Sequence, residues 1–117
     1  MVKKWEIYYL DLNPSKGSEQ RGIRPVLVVS NNAVNKNLPI FTCIPFSSVK
    51  VGAKIYPTEV YLSKEESGLS KDSVLMLQQI RTVARERIAG NSKVAEIKDN
   101  ELQNKINGAI MEYFELT

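Results

Sequence analysis

Pro25 followed by Val26-Leu27-Val28-Val29 is the feature that most narrows what this chain can fold into. Four β-forming aliphatic residues in succession leave no polar face for solvent, so the run predicts a central strand buried on both sides. Pro25 fixes the backbone on the way in, and Ser30-Asn31-Asn32 breaks the run on the way out. Such a strand needs neighbours, and β-rich segments are available at residues 4–12, 40–46, 58–62, 73–77 and 80–83. The first carries Trp5, Ile7, Tyr8 and Tyr9 and ends in an Asn13-Pro14 turn. The second contains Pro45, which implies an edge position or a bulge.

Helical signals are few and well placed. Ser63-Lys64-Glu65-Glu66 has the form of a capping box that starts one turn before Gly68 stops it. From Asn100 onward the period changes: Leu102, Ile106, Ala109, Ile110 and Tyr113 recur at helical spacing behind a capping Asp99. The expectation is a mainly β domain spanning residues 1–117, a small and strongly curved sheet or barrel with short helices and a closing C-terminal helix whose apolar stripe packs on the sheet.

Composition removes several kinds of chemistry. The chain of 117 residues has no histidine and one cysteine, Cys43, so an internal disulfide, a histidine-based acid–base pair and a Ser-His-Asp system are excluded, and no metal site is expected. Acid–base work falls to Glu, Asp, Lys, Arg, Tyr or water. The longest aliphatic run is too short to span a bilayer, and Glu6 and Asp11 interrupt what would have to be a signal-peptide core, so a cytoplasmic protein is expected. The net charge of +3 is unevenly distributed: residues 1–57 hold eight Lys and Arg against three acids, a balance of +5, leaving −2 for the remainder. An excess of this kind favours a phosphate-bearing partner.

That basic half contains an unusual loop, residues 13–25, in which Ser18, Glu19, Gln20, Arg21 and Arg24 crowd around Gly17 and Gly22. The glycines allow conformations closed to other residues and let a loop bend tightly around a ligand. Arg24, directly before Pro25, is biased toward extended backbone at the mouth of the buried strand, where its guanidinium is placed to fork two phosphate oxygens. Two further roles are open: Arg24 pairing with Glu19 as a staple across the loop, and Glu19 accepting hydrogen bonds from loop amides.

The stretch DLNPSKGSEQRGIRPVLVVSN resembles the signature of the MazF/PemK family of toxin–antitoxin endoribonucleases. The likeness continues through Asn31, Phe41 to Phe46 with Ser47-Ser48, Pro57-Thr58-Glu59-Val60, Ser73-Val74-Leu75 and Gln79-Ile80-Arg81-Thr82-Val83. It implies a small SH3-like barrel with a C-terminal helix, a homodimer, and metal-independent cleavage of single-stranded RNA by attack of a 2′-hydroxyl. The family's catalytic arginine falls on Arg24. Its threonine falls on Ser47, or on Ser48 if the register slips by one, and either way the methyl group is lost. Glu19 is the candidate base. Lys16, Ser18, Gln20, Arg21, Lys50, Tyr56, Gln79 and Arg81 are candidate substrate contacts, no cofactor is required, and the implied protein partner is an antitoxin with an acidic tail. Many relatives carry Arg-Gly-Asp or Arg-Gly-Glu before the first strand, where this chain has Lys4-Trp5-Glu6. The competing functions are a noncatalytic RNA-binding barrel and a CcdB-like gyrase-inhibiting toxin. The latter depends on a tryptophan near the C-terminus, whereas the only tryptophan here is Trp5.

Overall fold

The computed structural model describes residues 1–116, apart from the side chains of residues 89–91. Seven strands, β1 (Glu6–Asp11), β2 (Ile23–Val28), β3 (Ile40–Ser48), β4 (Glu59–Leu62), β5 (Ser73–Met76), β6 (Arg81–Ala84) and β7 (Ile88–Glu96), form one antiparallel sheet in the order β4-β5-β3-β2-β1-β7, with β6 also paired to β3. Three α-helices accompany it: α1 (Asn32–Asn37), α2 (Lys64–Ser67) and α3 (Asn100–Tyr113). The mainly β body and the closing helix agree with the sequence expectation.

The apolar run behaves as its composition requires. Leu27 is fully buried in one cluster with Ile7, Ile44, Phe46, Leu75 and Ile106. Val26 and Val28 face the opposite way into a second cluster with Leu10, Leu12, Phe41, Cys43 and Val83. The strand begins earlier than expected, at Ile23, because β1 pairs with it as far as Asp11↔Ile23.

Pro45 is not on an outer strand. It stands between Cys43, the last β3 residue paired with β6, and Phe46, the first paired with β5. At this position β3 exchanges one neighbour for another, and a residue without an N–H suits a break in the ladder.

The N-terminus departs from expectation in an informative way. β1 starts at Glu6 rather than Lys4 because Trp5 has φ +76°, a left-handed conformation that interrupts extended backbone. A non-glycine residue in this conformation costs about 1–2 kcal/mol. The conformation is held by the Trp5 N–H donating to Val28 O and the Ile97 N–H donating to Trp5 O, both 2.9 Å, and by packing of the indole on the first cluster.

Two elements escaped the sequence reading. α1 follows Ser30, and Asn31, read only as part of a strand break, caps it by accepting from the Val34 N–H (2.9 Å). Asn35 is buried, with its amide donating to Ser30 O (3.0 Å). β7 lacks an alternating apolar pattern and pairs with β1 through two register shifts, so no period-two signal exists to find. Residues 77–79, of which Leu77 was expected to end a strand, form a 3₁₀ turn that ends β5 at Met76. The helical signals held: Ser63 and Glu66 form the reciprocal capping box, Gly68 closes α2 at φ +78°, and Asp99 caps α3. Leu102 and Ile106 of α3 pack into the first cluster, whereas Tyr113 is exposed.

β7 is tied to β1 by a carboxylate with little solvent around it. Glu6 Oε1 accepts from the Lys3 N–H (2.7 Å) and the Tyr8 hydroxyl (2.8 Å), while Oε2 pairs with Lys93 Nζ (2.8 Å). Burial works to raise the Glu6 pKa, but Lys93, Tyr8 and the Lys3 amide outweigh it and hold the carboxyl below the usual range. The same burial, together with Glu6, pushes the Tyr8 phenol up to about 12.

Two outcomes follow. Leu27→Ala should cost about 2–5 kcal/mol in urea unfolding, because β2 has a fixed partner on each edge and little freedom to collapse into the cavity. A depressed folded-state pKa stabilises above the unfolded value, so the urea midpoint should hold from pH 7 down to about 4.3 and fall below it. Glu6→Gln should be less stable at neutral pH and flatten that acid limb; an unchanged limb would show that this carboxylate is not the linked group.

Candidate active site

The loop between β1 and β2 is built by hydrogen bonds to its own backbone. Gly17 and Gly22 have φ of +55° and +80°, the left-handed geometry their residue type permits. The Leu12 N–H donates to Gly22 O (2.9 Å), the Gly22 N–H donates to Asn13 Oδ1 (3.2 Å), and the Ser15 hydroxyl lies 2.8 Å from both Leu12 O and Gln20 O. From outside the loop, Gln79 grips it with both amide atoms: Oε1 accepts from the Gln20 N–H and Nε2 donates to Ser18 O, each at 3.0 Å. Arg81 Nη1 donates to Leu12 O (3.4 Å), and Arg87 Nη1 to Asp11 O (3.2 Å) and to Asn13 O.

This scaffold positions Arg24. Its Nε donates to Arg21 O (3.0 Å), and the Gln20 amide, with its oxygen turned to the guanidinium, accepts from Nη1 (3.0 Å) and Nε (3.1 Å). Among the described residues Nη2 has no protein partner, and no carboxylate lies within 4 Å of the guanidinium, since both ion pairs belong to Lys93. The staple between Arg24 and Glu19 does not form. Glu19 Oε1 instead accepts from the Lys16 N–H (2.6 Å), so the carboxylate closes its own turn and leaves the arginine positive and uncompensated.

Strand alternation separates the two serines. Val26 opposes Pro45 across β2 and β3, so Arg24 and Ser47, each two residues away, share the face of the second cluster. Arg81, opposite Cys43, belongs to the same end of the sheet. Ser48 and Phe46 alternate to the other face, where they line a cleft of about 230 Å³ together with Arg21, Arg24, Tyr9, Ile23, Pro25, Lys71 and neighbouring residues, so the Arg24 side chain reaches the side of Ser48. Five of the predicted contacts, Lys16, Ser18, Gln20, Arg21 and Gln79, are thus gathered around Arg24 in or against one loop. Lys50 and Tyr56 sit apart on the β3–β4 connection. Lys50 lines a separate cavity of about 290 Å³, and Tyr56 is exposed with Lys54 Nζ 5.5 Å from its ring centroid. Lys71 and Tyr9 were not singled out from the sequence: Lys71 had no motif around it, and Tyr9 read only as a strand residue.

Cys43, the single thiol, is not a nucleophile here. Burial pushes it up to about 12, against the opposing charge of Arg81.

Comparison with known proteins converges on one family. Residues 3–114 match the family described as PemK-like, MazF-like toxin of type II toxin-antitoxin system. Endoribonuclease EndoA of Bacillus subtilis (strain 168) is 36% identical over 110 residues, covering 94% of this chain and 91% of that protein. MazF from Deinococcus radiodurans superposes with a TM-score of 0.79 at 26% identity, over 97% of this chain and 96% of its own. An endoribonuclease in complex with its cognate antitoxin, from a mycobacterial species, gives 0.78 at 22% identity over 100% and 98%, a likeness of fold. With nearly the whole chain matched, from the Lys3–Glu6 turn to the end of α3, this protein belongs to the PemK-like, MazF-like toxins of type II toxin–antitoxin systems.

Proposed function

We propose that this toxin is a metal-independent, sequence-specific endoribonuclease that cuts single-stranded RNA. The observation that carries the reading is the state of Arg24, held from behind by Arg21 O and Gln20 with a donor unspent and no carboxylate against it. The named activity of the Bacillus subtilis relative, matched over most of both chains, supports it.

The reaction is a transesterification within the RNA. A ribose 2′-oxygen attacks its own 3′-phosphorus and the bond to the 5′-oxygen of the next nucleotide breaks, leaving a 2′,3′-cyclic phosphate and a 5′-hydroxyl. Negative charge grows on the phosphoryl oxygens, and Arg24 meets it. A donor fixed in advance in this way is worth about 3–4 kcal/mol. A guanidinium is a charge rather than a proton source, so the leaving oxygen takes its proton from water. Glu19, with one oxygen engaged by the Lys16 amide, offers the other to the 2′-hydroxyl proton. Ser47, on the face of Arg24, donates to a phosphoryl oxygen. Lys16, Ser18 and Arg21 line the path of the backbone, with Arg81 behind them and Lys50 and Tyr56 on the outlying loop.

The partners this reading implies are a second copy of the chain and an antitoxin whose acidic, initially disordered segment covers the basic face. The charge imbalance of the first 57 residues supports the latter, as does the mycobacterial relative solved with its cognate antitoxin. Among the described residues no helix is long and apolar enough to cross a membrane, and cytoplasmic action on RNA is part of the proposal.

The test is purified protein with a long single-stranded RNA in chelator, followed by mapping of fragment ends. Defined fragments with cyclic-phosphate and 5′-hydroxyl ends are expected; an RNA band that shifts but stays intact identifies a noncatalytic binder. Arg24→Ala should lower single-turnover cleavage about 100- to 1,000-fold with folding intact, and parental activity in that variant would refute the mechanism. Ser47→Ala should slow cleavage more than Ser48→Ala; the opposite order would move the hydroxyl to the other face of the sheet.

A further inference from the structure

The cleft shared by Ser48 and Arg24 also holds residues, Tyr9 and Lys71 among them, that none of the roles assigned above uses. Its volume of about 230 Å³ corresponds to roughly seven or eight waters at ~30 Å³ each, and it is open to solvent. Tyr9 and Pro25, paired across β1 and β2, contribute one side together with Phe46. Another wall comes from the turn that follows α2, through residues 69–71.

That wall is fixed from several directions. A Cβ at Gly68 would come within 2.9 Å of Ala95 Cβ, so the turn lies directly on β7. Leu69 is buried in the first cluster, and its N–H donates to Ser67 Oγ (3.0 Å). Asp72 accepts twice, through Oδ1 from the Lys64 N–H (2.8 Å) and through its carbonyl from the Val49 N–H (3.1 Å). The Ser73 hydroxyl donates to Lys71 O (3.0 Å). Lys71 therefore reaches the cleft from a backbone that is already ordered, and among the described residues no carboxylate lies within 4 Å of its ammonium. Arg21 and Arg24 line the same cleft from the β1–β2 loop and β2. An apolar and aromatic lining beside cations from separate segments suits a nucleotide: a base against the ring, and a phosphate within reach of the ammonium.

We infer that this cleft receives the nucleotide adjoining the scissile phosphate, with Lys71 neutralising its outer phosphate and Tyr9 giving its base a stacking surface. The inference rests on the endoribonuclease reading and deepens it. Cleavage chemistry stays with Arg24 and Ser47, while the cleft contributes affinity and register.

The test uses a single-stranded RNA spanning the mapped cleavage site, 2′-O-methylated at the attacking ribose so that it binds uncut. For Lys71→Gln, binding should weaken severalfold at low salt and the slope of log affinity against log salt should flatten by about 0.7, the value for one phosphate contact on a single strand. KM should rise with kcat nearly unchanged. Lys71→Arg should keep the parental slope, and Lys36→Gln, which removes the same charge from α1, should alter it much less. Tyr9→Leu should weaken binding about tenfold without changing the slope. Shortening the RNA one nucleotide at a time should reveal one truncation that weakens the parent but not Lys71→Gln. Equal slopes for parent and Lys71→Gln, additive losses at every truncation, or weakening confined to antitoxin binding would each overturn the inference. A parent protein that neither binds nor cuts RNA would overturn the endoribonuclease reading instead.

Discussion

Burial of β2 on both faces is the constraint from which the rest of the molecule follows. Leu27 belongs to one apolar cluster and Val26 and Val28 to the other, so the strand must have β1 on one edge, β3 on the other, and side chains layered above and below. A strand so enclosed has little freedom to slide, because a one-residue slip would exchange the two faces. Arg24, two residues upstream of the buried run, inherits that fixed register. The guanidinium proposed to meet the reacting phosphate is therefore placed by a strand with a partner on each edge, although it lies in the sequence next to a polar loop.

The loop receives its order from a distance. Gln79 lies far along the chain from Ser18 and Gln20, yet its single amide satisfies one N–H and one carbonyl of the loop and leaves Gln20 oriented to hold Arg24. This gives the Gln79 side chain a positioning part in the proposed site. The 3₁₀ turn at residues 77–79 belongs to the same arrangement, since it ends β5 and lets the chain resume as β6 on the other part of β3. The exchange of neighbours around Pro45 brings the loop, the arginine and the glutamine to one end of the sheet.

Trp5 shows how a departure from a family pattern is absorbed. Where the family pattern implies glycine, Trp5 takes a left-handed conformation, and its backbone bonds to Val28 and Ile97 together with packing on the core offset the strain. The turn then leads into Glu6, whose buried carboxylate ties Lys3, Tyr8 and Lys93 together and anchors β7 despite its irregular pairing. The N-terminal segment is thus a clamp on the far edge of the sheet.

Much of this was legible in the residues themselves. The doubly buried strand, the capping box ending at Gly68, the terminal helix behind Asp99 and the glycine-bounded loop follow from local chemistry: side-chain periodicity, β-branching, caps, and the conformations only glycine adopts freely. The family motif singled out Arg24 and the serine pair as candidates. Contacts between distant segments could not be read in this way, because no local rule relates Gln79 to Ser18, Lys71 to Tyr9, or Lys93 to Glu6. That Ser47 and Ser48 point to opposite faces, with Arg24 lining the cleft of Ser48, needed the folded β2 and β3. β7 stayed hidden because its bulged ladder has no alternating pattern, and Glu19 could be assigned to its own loop amide, rather than to Arg24, only once the backbone was folded. Sequence determined which chemical groups and which local shapes exist, since these depend on neighbours along the chain; tertiary structure decided which of them meet, since that depends on sheet register and packing between segments far apart.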